Sequence, residues 1–205
     1  NRMKMLTRGI FVLACCTLVF SSSRGVSYRI AGTWENGKGK KIYLSEIVGN
    51  KEFRAVDSAV VAPDFTFLLK GNVDRVQKMV LVYNSDKRKE IIVDGEPMNV
   101  MFEETTKEWK GKPTTSVTVT CTGNKEQEFL EKGSSLKTTI SFMQLGKMMA
   151  ASKVDYDDPV AVDSLKRVFT LLDSSLIAAV NNYMDTTRNS YASTYFFESH
   201  LMDNY

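Results

Sequence analysis

The sequence predicts an α+β protein: an antiparallel β-sandwich, with a small barrel as the alternative, followed by a helical segment of two to three helices. Three observations carry this prediction. Between Ser27 and Gly123, short alternating or continuous apolar runs recur between turns rich in Gly, Asn and Pro. No helical crossover of the kind a parallel sheet requires interrupts them. After Gly123 the apolar residues recur at the three-to-four spacing of helices.

The stretch from Asp57 to Gly71 justifies the first strands. In an extended chain Arg54, Val56, Ser58 and Val60 point one way, and Phe53, Ala55, Asp57, Ala59 and Val61 the other; after a break, Phe65, Phe67 and Leu69 oppose Thr66, Leu68 and Lys70. Pro63 fixes its own φ and has no N–H to donate, and Asp64 can bond its own backbone, so the chain turns at Ala62 to Asp64. The expectation is an antiparallel hairpin whose second strand ends at Gly71. Ser27 to Thr33 and Lys41 to Ile47 are further strands, joined through Asn36-Gly37-Lys38-Gly39. Met79 to Tyr83, Glu90 to Val93 and Met98 to Glu103 are short apolar runs, the last two separated by Asp94-Gly95-Glu96-Pro97. In the run SVTVTCTG, Val117, Val119 and Cys121 share a face and threonines occupy the other, the pattern of a half-buried strand.

Beyond Gly123, Phe129, Leu136, Ile140 and Met143 recur at helical spacing, with Leu130 and Met148 close to that face and Gly133-Ser134-Ser135 weakening the middle. Asp158 is a good N-cap with Pro159 behind it, and Val162, Leu165, Phe169, Leu172, Leu176 and Val180 build one stripe. Ser190 can cap a third helix carrying Tyr195, Phe196, Leu201 and Met202.

The N-terminus reads as a secretory signal. Arg2, Lys4 and Arg8 precede an apolar run from Ile10 to Phe20, and Ser21 to Ser23 supply small residues for cleavage. The run is shorter than the roughly 20 residues a spanning helix needs. Val12-Leu13-Ala14-Cys15 also has the form of a bacterial lipobox, in which Cys15 is lipidated. The expected organisation is therefore a signal peptide over 1–23, a β-sandwich domain over 24–124 and a helical segment over 125–205.

Export changes the charge balance. The chain carries a net +3, but Arg2, Lys4 and Arg8 fall in the signal without any Asp or Glu, so the remainder is neutral. The densest basic groups, Lys38 with Lys40 and Lys41, and Lys87 to Lys89, sit in turns, which argues against a nucleic-acid face. Membrane contact is expected only through a lipid on Cys15. Of three cysteines, Cys121 alone lies past the signal, in a strand where a thiol packs as a small hydrophobe.

No catalytic set, cofactor site or metal site emerges. His200 is the sole histidine, and a triad with Ser190 or Ser199 and Asp203 would crowd every member into one terminal segment. Asp155, Asp157 and Asp158 lack the glycine and distal Glu of a calcium loop and suit helix capping. Glu103 and Glu104 read as strand-end charges. Trp34, beside the first turn, and Trp109, within the polar stretch Lys107 to Lys112, are the candidate ligand-contact aromatics if exposed.

Ile30-x-Gly32, Tyr43-Leu44, Asp57-Ser58-Ala59-Val60-Val61, Phe65-Thr66-Phe67, Gly71 and Thr122-Gly123-Asn124 together resemble an exported bacterial β-sandwich family known as domain of unknown function 4369, over about residues 27 to 130. Asp64 stands where that family usually has Gly. The resemblance implies a sandwich placed ahead of a helical segment and then a thioredoxin-like domain of the thiol-disulfide oxidoreductase or peroxiredoxin-related kind; Asn189-Ser190-Tyr191-Ala192-Ser193 is similar to the segment preceding such a domain. No Cys-x-x-Cys occurs up to Tyr205, so redox chemistry would lie outside these residues. The expected role is a non-catalytic envelope module whose partner is its own C-terminal domain or another envelope protein. The alternative is a standalone exported protein that binds a glycan, a peptide or an envelope partner.

Overall fold

The computed structural model describes residues 25–49, 52–84 and 87–201. Among them lie strands β1 (Val26–Trp34), β2 (Lys41–Val48), β3 (Glu52–Val60), β4 (Thr66–Val73), β5 (Gln77–Val82), β6 (Arg88–Val93), β7 (Met98–Trp109) and β8 (Lys112–Thr122). Helices α1 (Lys125–Ala151), α2 (Pro159–Thr186) and α3 (Tyr191–Phe196) follow, with a π-helical turn over Phe197–Leu201. The strands form two four-stranded sheets, ordered β4-β1-β7-β8 and β3-β2-β5-β6. This is the predicted sandwich followed by helices, and it is not closed into a barrel. One pairing departs from the antiparallel rule: β1 and β7 run parallel, with Ile30 opposite Met98 and Trp34 opposite Phe102.

Alternation builds the core. Ile30 and Trp34 of β1, Phe67 and Leu69 of β4, and Val100 and Phe102 of β7 face Ile42 and Leu44 of β2, Leu81 of β5, and Ile91 and Val93 of β6. Cys121 closes the same cluster from β8, as its strand pattern predicts. Each such side chain taken from water stabilises the fold by about 1.5–3 kcal/mol before entropy is counted.

The hairpin expected between Asp57 and Gly71 is corrected. β3 pairs with β2 and β4 with β1, so Ala62 to Phe65 is an arch that carries the chain from one sheet to the other. Phe65 stands at φ 67°, and Asp64 Oδ1 accepts from Thr66 N–H (3.1 Å) and Oγ1–H (2.7 Å). That left-handed residue, costly for a Phe, rotates the following strand out of the plane of β3. Gly71 does not end β4 either. It lies opposite Tyr28, and a Cβ there would sit 2.6 Å from the Tyr28 hydroxyl. The hydroxyl donates to Asp57 Oδ2 at 3.0 Å, linking the two sheets, and burial followed by this hydrogen bond pushes the phenol up to about 12.

Two further strands are longer than predicted. β7 and β8 form a hairpin paired from Asn99 and Thr122 out to Trp109 and Lys112. Lys110 and Gly111, at φ 51° and 74°, make the two-residue turn whose positive φ values match strand twist.

The helices attach along the free edge and outer face of the second sheet. Gln127, fully buried, accepts from Ile92 N–H through Oε1 (3.0 Å) and donates through Nε2 to the Glu90 carbonyl (3.3 Å), so it occupies the free edge of β6. Asn124 caps α1, accepting from Gln127 N–H (2.8 Å) and donating to Asp94 (2.7 Å). Leu130 and Ala192 pack with Ile92 in a second core on the outer face of the sheet. Lys78 holds α3: its N–H donates to the Tyr191 hydroxyl (3.3 Å) and its ammonium to Tyr195 (2.5 Å) and Glu90 (3.0 Å).

α1 and α2 form a long antiparallel hairpin, capped by Asp158, whose Oδ1 accepts from Val160 N–H at 2.9 Å. Gly133 does not weaken α1. It lies against Tyr183 and Phe196, where a Cβ would come within 2.8 Å of the Tyr183 hydroxyl. That hydroxyl in turn donates to the Phe129 carbonyl at 3.1 Å. Lys147, paired with Asp173, ties the hairpin farther out.

Replacing Gln127 with Leu strands a buried N–H and a buried carbonyl; the expected loss is about 2–4 kcal/mol, read as a lower urea midpoint with unchanged slope. Tyr28 gives a pH signature. Its folded pKa lies above the ordinary 10.0, so its contribution is complete below pH 10 and disappears as pH rises through about 12. Urea midpoints should fall between pH 10 and 12 in the natural protein and fall less in Tyr28→Phe.

Candidate functional site

The residues that combine charge, aromatic surface and space gather where the β1–β2 arch meets the β7–β8 ribbon. Trp34 ends β1 and leads into a 3-10 turn, Glu35–Gly37. Gly37 is required there by contact, since a Cβ would lie 2.4 Å from Trp34 Cγ. The indole stacks on Phe102 at 4.8 Å and 17°, and meets Tyr83 edge-on at 6.1 Å. Its Nε1–H donates to Glu104 Oε1 at 2.8 Å.

Glu104 belongs to the inward face of β7, in the middle of a strand that runs on to Trp109, and is not the strand-end charge expected from the sequence. It also accepts from Lys40 Nζ at 2.9 Å, while the same ammonium sits 4.3 Å from the Trp34 ring. The Lys40 hydrogen bond, against the opposing effect of desolvation and with help from Trp34, holds the Glu104 carboxyl below its usual range. Lys40, Trp34 and Glu104 thus form one unit in which a carboxylate satisfies a buried indole and the lysine lies over it.

Around this unit is an open cleft of about 560 Å³, bordered by Lys41, Tyr83, Asn84, Lys87 and Thr115. Glu104 offsets one of its three lysines, so the lining carries an excess of positive charge. The chemistry such a lining can offer is attraction and hydrogen bonding to a small anion. Sequence reading missed Glu104 because nothing in the string Phe102-Glu103-Glu104-Thr105 distinguishes it; the inward alternation from Val100 and Phe102 was the available signal.

The candidate aromatics fare differently. An exposed Trp34 is corrected: the residue is 2% exposed, one ring face is taken by Phe102, and Lys40 lies over the ring, so no face is open for a ligand to stack on. Trp109 is the last residue of β7, opposite Lys112, and its side chain lies outside the described residues. Cys15 and the whole signal segment also lie outside them. Cys121 is buried, and desolvation pushes its thiol up to about 11, the reverse of what a nucleophilic cysteine needs. Asp158 and Ser190 act as helix caps. Among the described residues no helix is long and apolar enough to cross a membrane.

Fold and site together define a β-sandwich module bearing a helical hairpin, with a cationic cleft at one end of the sandwich. The chain matches the family model Domain of unknown function (DUF4369) over residues 28–130, and it belongs to that family. No curated protein and no solved structure matches it.

Because the folded Glu104 pKa is depressed, its contribution is present above the carboxylate range and is lost as pH falls through the folded value. In a Trp109→Phe background, Trp34 emission should change on acidification before global unfolding, and Glu104→Gln should abolish that step. An identical acid titration in Glu104→Gln would disprove the coupling.

Proposed function

We propose that this chain is the non-catalytic N-terminal module of an exported cell-envelope protein, and that it supports or positions a C-terminal thioredoxin-like thiol-disulfide oxidoreductase domain. The observation that carries this reading is the way α3 is fixed. Lys78, Tyr191, Tyr195 and the Ala192 N–H bond to Glu126 (2.9 Å) tie the end of the helical segment to the sandwich and to α1. A domain continuing from α3 would leave the module at a defined position and angle, as a scaffold requires. Family membership adds support, since such sandwiches resemble those found ahead of thioredoxin-like domains. In this reading residues 1–23 direct export, with Cys15 as the lipid attachment point if the lipobox is used.

A second reading rests on the cleft beside Trp34. Its lysines suit a standalone exported protein that takes an acidic peptide or a glycan bearing carboxylates, held by Lys41 and Lys87 and not by stacking on Trp34.

The coding sequence downstream of Tyr205 separates the two. The first reading expects it to continue into a domain with a Cys-x-x-Cys at a helix start; an immediate stop codon sinks it. The second expects acidic oligosaccharides or peptides to bind and Lys41→Ala with Lys87→Ala to weaken them at least tenfold; unchanged binding in the double variant rejects it.

A further inference from the structure

The second sheet carries helices on its outer face, whereas the first sheet, β4-β1-β7-β8, leaves most of its outer face exposed. A groove runs along that face. Its floor is β1, where the small Ala31 and Thr33 point outward, and its walls are Leu68 of β4 and Asn99 and Met101 of β7. Register aligns them: Ala31 lies between Leu68 and Asn99, and Thr33 between Thr66 and Met101. Leu68 is 44% exposed and Met101 45%. Thr120 and Thr122 of β8 border the hollow, which measures about 520 Å³, within the range of small-molecule sites.

One end of the groove is cationic. Arg29 lies in line with Ala31 and Thr33, and Lys70 stands directly opposite it on β4. Like charges facing each other across a strand pair cost stability. Both side chains are exposed, and among the described residues neither has an ion-pair partner. The other end is acidic, because Glu103 follows Met101 on the same face of β7. From Arg29 to Thr33 the groove runs about 13 Å.

We propose that this groove binds a single-chain fatty acid of about twelve carbons, its carboxylate between Arg29 and Lys70 and its hydrocarbon tail along β1. The dimensions select the occupant. β4 and β7 flank β1 at roughly 10 Å from each other, so their side chains leave room for a hydrocarbon chain and not for a helix of about that diameter. An extended peptide is narrow enough, but its N–H and C=O groups would lie on a sheet face that offers no backbone partner and would lose water without compensation. An acyl chain brings no such groups. Its carboxylate makes charge-assisted contacts with two cations and offsets the repulsion between them. Glu103 repels the reverse orientation. The site is separate from the cleft beside Trp34, and the inference holds whether or not a further domain follows.

The test is calorimetric titration of the full chain with dodecanoate, with dodecyltrimethylammonium as the cationic counterpart of equal tail. Saturable binding with a dissociation constant of about 1–100 µM is expected for dodecanoate, and binding at least tenfold weaker for the cation. Arg29→Ala with Lys70→Ala should weaken dodecanoate at least tenfold and bring the two ligands to within about threefold of each other. Ala31→Leu, which fills the floor from outside the core, should abolish binding with unchanged circular dichroism. Leu68→Ser, at an exposed wall position, should weaken it at least fivefold and serves if Ala31→Leu does not fold. Absence of saturable dodecanoate binding overturns the proposal, as does binding indifferent to the groove variants or to the loss of both cations. Loss of binding in Lys41→Ala with Lys87→Ala moves the anion to the cleft and also overturns it. A chain that ignores dodecanoate but adheres to phosphatidylglycerol vesicles through Leu68 assigns the face to a membrane surface and rejects the fatty-acid site.

Discussion

The Gln127 side-chain amide presents to β6 the acceptor and the donor that a neighbouring strand would present, and it does so from the first turn of α1. An exposed strand edge invites pairing with other chains, and a buried one without partners costs several kcal/mol. By bonding Ile92 N–H and the Glu90 carbonyl, Gln127 terminates the second sheet and fixes the position of α1 at once. Leu130 follows one turn later onto Ile92, and α3 then docks on α1 and on Lys78. The sandwich as a physical unit therefore extends past Gly123 into α1. The family match, which runs to residue 130, includes both Gln127 and Leu130.

The opposite end of the sandwich is organised by a different compromise. Trp34 brings a large ring into the core, and its N–H has to be satisfied there. Glu104 satisfies it, and Lys40 offsets the carboxylate while lying over the indole. Each member removes a cost that the others create, so the three act together. The cleft beside them follows from this, because the lysines must reach inward from the arch and cannot cover the opening fully.

The fold class was legible in the sequence because alternation, turns and helix caps are local signals, and Asp158, Pro159, Ser190 and the Cys121 strand carried them plainly. What was not legible depended on which sheet a strand joins. Pro63 and Asp64 announce a turn, but only the left-handed Phe65 and the partners of β3 and β4 distinguish an arch from a hairpin. Lys110-Gly111 went unrecognised as a hairpin turn because the flanking residues, from Glu103 to Lys107 and from Lys112 to Ser116, form a solvated ribbon with little apolar alternation. At the site, the string around Glu104 resembles any strand end; its role comes from Trp34, seventy residues earlier. Gly133 looked like a helix weakness and is a contact point for Tyr183, a partner no local pattern identifies.

The arches give the sandwich a particular route to its native state. The chain passes from the first sheet to the second after β1, returns after β3, crosses again after β4 and comes back after β6. Neither sheet can be completed from one continuous piece of chain, and β1 must wait for β7 to be made before its parallel partner exists. Most of the ordering entropy is therefore spent before the long-range contacts form, which slows folding relative to a fold built from local contacts. A chain emerging stepwise, as in synthesis, can complete the first sheet only once β7 and β8 have emerged, and only after them does the edge of β6 meet the helix that closes it.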